Sequence, residues 1–204
     1  MKTAIKYTLL LFLLLGINSG LLAQIPENPE DISPLLIGES IPQGALVAPD
    51  GSDHSISEII KNQPTVLLFY RGGWCPYCNA HLSEIQAAES KILKLGFQIV
   101  AVSPDSPDNL RIATEENDLK YHLFSDTGAK FIQQVGIAFQ APENYSNLLS
   151  DKSDGENPGI LPVPSVFILN TEGQILFEYI NPNYKIRLKS SMLLAILKGL
   201  NKSE

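Results

Sequence analysis

The sequence predicts an α/β fold, a single domain built on a mixed β-sheet flanked by helices. Two continuous apolar runs, TVLLFY (Thr65 to Tyr70) and FQIVAVS (Phe97 to Ser103), enclose a segment whose apolar residues recur at three- and four-residue steps. The chain then closes with PSVFILN and QILFEYI, separated by TEG, and a final amphipathic stretch. Strands that alternate with helices and end in a hairpin and a helix indicate one α/β unit rather than separate α and β layers. A chain of 204 residues suits one such domain with a sizeable core, plus an appendage.

The elements follow in order. PDG at 49–51 marks a turn, and SISEIIK (Ser55 to Lys61) reads as one short helix. TVLLFY is rich in strand formers and lacks polar alternation, as expected of a buried central strand. From Pro76 to about Leu95, the residues Leu82, Ile85, Ala88, Ile92 and Leu95 form a helical stripe that Gly96 ends. FQIVAVS is the next buried strand. SPDNLRIATEEN (Ser106 to Asn117) opens with Ser and Pro in cap and first-turn positions and predicts a helix. A short strand over Tyr121 to Asp126 and a helix over Thr127 to Val135 come next. The stretch from Gly136 to Leu161 is polar and rich in Asn, Asp, Ser and Gly, and it reads as a long loop, either functional or a surface insertion. The TEG hairpin and a helix over Ile186 to Leu200 complete the chain.

The appendage is N-terminal. Lys2 and Lys6 precede a short apolar run, and small residues lead to Ala23, which reads as an export signal over residues 1–23. An uncleaved membrane anchor is the alternative, although the run is short for a span of ~20 residues. The first cysteine is Cys75, so no lipid-modified cysteine stands at the cleavage point. Residues 24–37 form a Pro- and acid-rich extended leader without a core of its own, and the domain proper covers 38–204. The whole chain carries −7; loss of two lysines and no acids with the signal leaves −9. That charge argues against nucleic acid or an anionic membrane as partner. Export to the periplasm or beyond also means an oxidising environment.

Both cysteines sit in FYRGGWCPYCNAHL (69–82), after a strand and a Gly-Gly turn. Gly72 and Gly73 let the chain bend out of the strand, and Pro76 suits a first helical turn because it lacks an N–H. Cys75 then lies at a helix N-terminus, where free N–H groups and the helix dipole favour a thiolate. This predicts Cys75 as the low-pKa, solvent-reachable nucleophile. Cys78, three residues on, shares its face and can displace a product from Cys75 by forming a disulfide. A purely structural disulfide would close too short a loop to stabilise much. A zinc site would need a second pair; His81 could add one ligand, while no motif links His54 or His122 to the cysteines. Trp74 either offers a flat apolar surface beside the nucleophile or caps the core. Val163–Pro164 stands directly before a strand. No cofactor is called for.

The stretch from Gly38 onward resembles the peroxiredoxin-like branch of the thioredoxin superfamily, the alkyl hydroperoxide reductase/thiol-specific antioxidant family. The residues that carry this are GESIP (38–42), the PDG turn, VLLFYRGGWCPYC (66–78), IVAVSPD (99–105), LFSD (123–126) and LPVPSVFILNTEGQI (161–175). The resemblance implies a thioredoxin-like fold and an antioxidant role. Cys75 would reduce a small hydroperoxide and become a sulfenic acid, Cys78 would resolve it to a disulfide, and a thioredoxin-like donor would return the electrons. It also implies a cis Val163–Pro164 bond beside the pair, with Trp74, Pro76, Tyr77, Pro164 and Arg71 lining a substrate groove. Three places depart from the family pattern. Leu68, Gly72 and Pro164 stand where the family keeps a Pro, a Thr or Ser, and an Arg. Arg71 is the nearby cation in sequence, either a peroxide-activating group or a solvated turn residue. CPYC also occurs in glutaredoxins, so thiol–disulfide exchange is the second reading, and a non-enzymatic metal or heme chaperone the third.

Overall fold

The computed structural model describes residues 24–116 and 118–201; the expected export signal lies outside them. Nine strands are present among the described residues: β1 (Ala45–Val47), β2 (Asp53–Ser55), β3 (Thr65–Phe69), β4 (Gln98–Ser103), β5 (His122–Ser125), β6 (Ala138–Gln140), β7 (Ile160–Pro162), β8 (Ser165–Leu169) and β9 (Ile175–Ile180). The helices are α1 (Ile56–Ile60), α2 (Pro76–Lys94), α3 (Pro107–Glu116), α4 (Lys130–Gln134), α5 (Ser146–Lys152) and α6 (Ser190–Leu200). Seven strands form one sheet in the order β2-β1-β5-β4-β3-β8-β9, and β6 pairs with β7 separately. β3, β4 and β5 run parallel, whereas β8 is antiparallel to β3 and β9 to β8. The sheet is therefore mixed, as the sequence predicts.

The continuous apolar runs are explained by burial on both faces of the sheet. Side chains alternate along a strand, so Val66 and Leu68 join Ile85 and Leu193 in one core cluster, on the side of α2 and α6. Leu67 and Phe69 join Ile56, Phe131 and Phe167 in the other. α1 starts where the sequence indicates because Ser55 and Glu58 form a reciprocal capping box.

Four expectations change. β1 and β2 flank the PDG turn and pair with each other, but at three residues each they carry too little pattern to be read from sequence. α4 begins at Lys130 rather than Thr127, because Ala129 adopts a left-handed φ of 51° and the Asp126 carboxylate accepts the N–H groups of Lys130 and Ile132. The stretch from Gly136 to Leu161 is an ordered subdomain rather than a loop: β6, a 3₁₀ turn (Glu143–Tyr145), α5 and β7 enclose Phe139, Leu149, Leu161 and Val163. Its polar residues serve turns, as where Asn157 bridges the N–H and C=O of Ile160. The last helix likewise starts at Ser190, whose N–H donates to Glu84, and leaves residues 186–189 non-helical.

Candidate active site

β3 ends at Phe69, and the chain leaves the sheet through Tyr70 to Gly73. Gly72 has φ +146°, and a Cβ there would lie 2.2 Å from Trp74 Nε1 and 2.6 Å from Asp105 Oδ1. Only glycine fits that conformation and that space. The Gly73 N–H donates to Asp105 Oδ2 at 2.6 Å, and Asn79 Nδ2 donates to the Gly73 carbonyl at 2.7 Å. The loop is thus pinned from β4's end on one side and from α2 on the other. Cys75 is the N-cap of α2, with Pro76 at the first helical position, and its carbonyl accepts the N–H groups of Cys78 and Asn79.

This placement favours the thiolate at Cys75. The Cys78 thiol donates to it, the Cys78 and Tyr77 N–H groups point at it, and Arg71 adds a positive charge; against the opposing effect of burial these lower its pKa to about 6. Cys78 is pushed the other way, chiefly by its hydrogen bond to Cys75 and by burial. The two thiols are thus pushed in opposite directions, Cys75 toward the thiolate and Cys78 toward the protonated form. The expected exposure is absent. Cys75 is 2 % exposed and Cys78 1 %, because both belong to the core cluster of Tyr70, Leu82 and Ile85, against which Trp74 packs.

Arg71 is not a solvated turn residue. It is 4 % exposed, with its guanidinium carbon 5.1 Å from the Trp74 ring centroid, 4.9 Å from Tyr145 and 4.4 Å from Tyr184. No carboxylate forms an ion pair with it among the described residues, and its Nε has no hydrogen-bond partner. Cation–π contacts contribute ~2 kcal/mol when desolvated, so the three rings offset part of the cost of burying the charge. Tyr145 comes from the subdomain and Tyr184 from the segment before α6, neither signalled by the local sequence around the cysteines.

Pro76 and Tyr77 are exposed at the start of α2, Tyr77 edge-on to Tyr184 at 5.6 Å. Pro164 is buried, and its bond to Val163 is trans, as are all peptide bonds among the described residues. The expectation of a cis turn fails here. The backbone runs on extended from β7 into β8, with the Val163 N–H bonded to Ile137 and the Pro164 carbonyl accepting from Asn181. The reason for placing Pro164 in a substrate groove falls with it.

The structure adds two residues. Asp105, at the end of the SPD motif, is 2 % exposed and has its pKa raised to about 7, mainly by burial and further by Cys75's charge, against the Gly73 N–H. Arg187 donates from Nη2 to Cys78 Sγ at 3.6 Å. Asp105 was within reach of sequence reading as a carboxylate in a quoted motif; nothing in NYKIRLK marks Arg187. His81 is buried with Nε2 at the Leu188 carbonyl, its pKa lowered to about 4 by burial and Arg187. His54 lies by Phe124, and His122 begins β5. The structure does not bring these two to the cysteines.

The AhpC/TSA family model matches residues 37–177, more than half of the chain and the whole of this site apart from Tyr184 and Arg187. The chain belongs to the AhpC/TSA family. Among curated relatives of this family, the chloroplastic peroxiredoxin Q of Gentiana triflora is 26 % identical over 144 residues, 71 % of this chain and 58 % of that protein. Peroxiredoxin Bcp of Escherichia coli K12 is 24 % identical over 106 residues, 52 % of this chain and 67 % of that one. The chain spans about three-fifths of the length of the peroxiredoxin Q relatives from Gentiana triflora and Populus jackii. Reduced Prx3 of Vibrio vulnificus in complex with H2O2 superposes with a TM-score of 0.69 at 16 % identity, covering 80 % of this chain and 99 % of that one. Peroxidoxin BcpB of Mycobacterium tuberculosis gives 0.65 at 17 %, covering 80 % and 97 %. The fold is thus the thioredoxin-like one of this family.

Proposed function

We propose that the protein is a thiol-dependent peroxide reductase of the AhpC/TSA family, with Cys75 as peroxidatic and Cys78 as resolving thiol. The observation that carries this is Cys75 at the N-cap of α2, where the Cys78 thiol, backbone N–H groups and the Arg71 charge favour its thiolate. The thiolate attacks one peroxide oxygen, the O–O bond breaks, and sulfur is oxidised to a sulfenic acid while the other oxygen leaves as an alkoxide or hydroxide. Leu68, Gly72 and Pro164 bring no polar side chain to that oxygen, so we assign Arg71 to stabilise its charge. Its cation is already desolvated inside the aromatic cage, so its field is little screened. Cys78 then closes the disulfide, and a thioredoxin-like donor reopens it. Reading Lys2, Lys6 and the apolar run after them as an export signal, we assign this cycle to an exported compartment.

Stopped-flow Trp74 fluorescence of the reduced protein tests the reading. Oxidation by peroxide should outrun that of a free thiol, and be slower than in family members with the full Pro, Thr and Arg set. Cys75→Ser should lose the reaction, whereas Cys78→Ser should turn over once and stall as a sulfenic acid or mixed disulfide. If peroxide reacts no faster than with a free thiol while a disulfide substrate reacts orders of magnitude faster, the protein is a thiol–disulfide oxidoreductase instead.

A further inference from the structure

Each sulfur of the pair has its own guanidinium. Arg71 lends its charge to Cys75, and Arg187 donates to Cys78 Sγ. Arg187 is held for that contact from the far end of the chain, with Nη1 donating to the carbonyls of Tyr184 and Ile186. In the reduced protein a cation beside Cys78 looks misplaced, because Cys78 is the protonated partner. Its hydrogen bond to the Cys75 thiolate is the largest effect keeping it so; burial adds to this, and Arg187 opposes both. The other groups near by do not replace Arg187. Tyr70 shares the core cluster of the pair, its own hydroxyl held protonated chiefly by burial. Glu84 and Lys189 act on His81, as Arg187 does, and Asp105 is coupled to Cys75.

Oxidation of Cys75 removes the largest of these effects. A sulfenic acid carries no negative charge, so nothing then holds the proton on Cys78 except burial, and Arg187 remains. Resting on the peroxidase reading above, we propose that Arg187 is a catalytic residue of the resolving step, stabilising Cys78 as a thiolate once Cys75 has been oxidised.

The steps balance. The Cys75 thiolate and a hydroperoxide give the sulfenic acid and an alkoxide, and the Cys78 proton passes to the alkoxide. The Cys78 thiolate, paired with Arg187, attacks the Cys75 sulfur, forms the S–S bond and expels hydroxide. That hydroxide takes up the proton that Cys75 lost when it ionised, giving water. The net change is two thiols and a hydroperoxide to a disulfide, an alcohol and water.

The test separates charge from position. In a Cys75→Ser background, where a neutral hydroxyl replaces the Cys75 thiolate, alkylation of Cys78 against pH reads its ionisation without peroxide. Adding Arg187→Met should raise the midpoint by about one unit, and Arg187→Lys should restore most of it; each unit is about a tenfold change in thiolate near neutral pH. In the two-cysteine protein, Arg187→Met should lengthen the lifetime of the trapped sulfenic acid by about tenfold, with the effect shrinking as pH rises. An unmoved midpoint, or Met and Lys variants shifted alike, overturns the proposal. Absence of any sulfenic acid in the unmodified protein would sink the peroxidase reading instead, while the Cys75→Ser titration still decides the role of Arg187.

Discussion

Cys75 and Asp105 titrate against each other across the Gly72–Gly73 loop. Asp105 is buried and receives the Gly73 N–H, and each negative charge disfavours the other. Asp105→Asn keeps a carbonyl oxygen for Gly73 and removes the charge, so the alkylation midpoint of Cys75 should move below about 6, by a fraction of a unit. An upward shift would mean that the carboxylate acts on Cys75 through loop geometry instead. The same residue sets a stability window. Its folded pKa is raised from 3.8 to about 7, so its contribution is full below 3.8 and is lost as pH rises through about 7. Asp126, raised to about 6 by burial, has the same sign. Cys75 has the opposite sign: lowered from 9.0 to about 6, it makes the reduced protein more stable as pH rises from about 6 to 9. Cys75, and His81 with its pKa lowered to about 4, act against Asp126 between pH 5 and pH 7, so on going from pH 5 to pH 7 the urea midpoint of Asp105→Asn should rise relative to that of the parent. An unchanged difference would remove Asp105 from the account.

Among the elements, the turn between β3 and α2 is the most constrained. Gly72→Ala would put a methyl group into both Trp74 and Asp105 at a backbone angle that L side chains rarely adopt. The expected loss is about 1–3 kcal/mol of stability, together with a slower peroxide reaction as Trp74 is pushed off Arg71. Unfolding midpoints and stopped-flow rates measured on one preparation check both; a variant with parental values of each would show the turn to be slack. α1 and α2 were legible because Ser55, Glu58 and Pro76 act within one turn of themselves. α4 and α6 start later than their apolar patterns suggest, because the groups that set their first turns, Asp126 with a left-handed Ala129 and Glu84 on α2, are invisible to periodicity.

For the molecule as a whole, the leader is bound to the domain although it has no core of its own. Ile25, Ile32 and Leu35 pack on the second core cluster, Pro26 accepts from Gln140, and the Leu35 N–H donates to Val135. Deleting residues 24–37 from the mature chain should cost about 2–4 kcal/mol, from three partly buried apolar side chains. A truncated protein with an unchanged unfolding midpoint would show the leader to be a passenger. Cleavage after Ala23 would leave these contacts intact, and intact mass of the exported fraction should show loss of the first 23 residues. Full-length chain recovered from membranes would favour the anchor. The sequence by itself determined the α/β order, the buried strands, the Gly-Gly turn and the place of Cys75 at the start of α2, because each is written in patterns a few residues long. The burial of both sulfurs, the trans Pro164, the caging of Arg71 by Trp74, Tyr145 and Tyr184, and the approach of Arg187 to Cys78 were decided only by tertiary structure. Those contacts join residues as far apart as Arg71 and Tyr184, and no local pattern records which distant side chain closes on a site once the sheet and helices have packed.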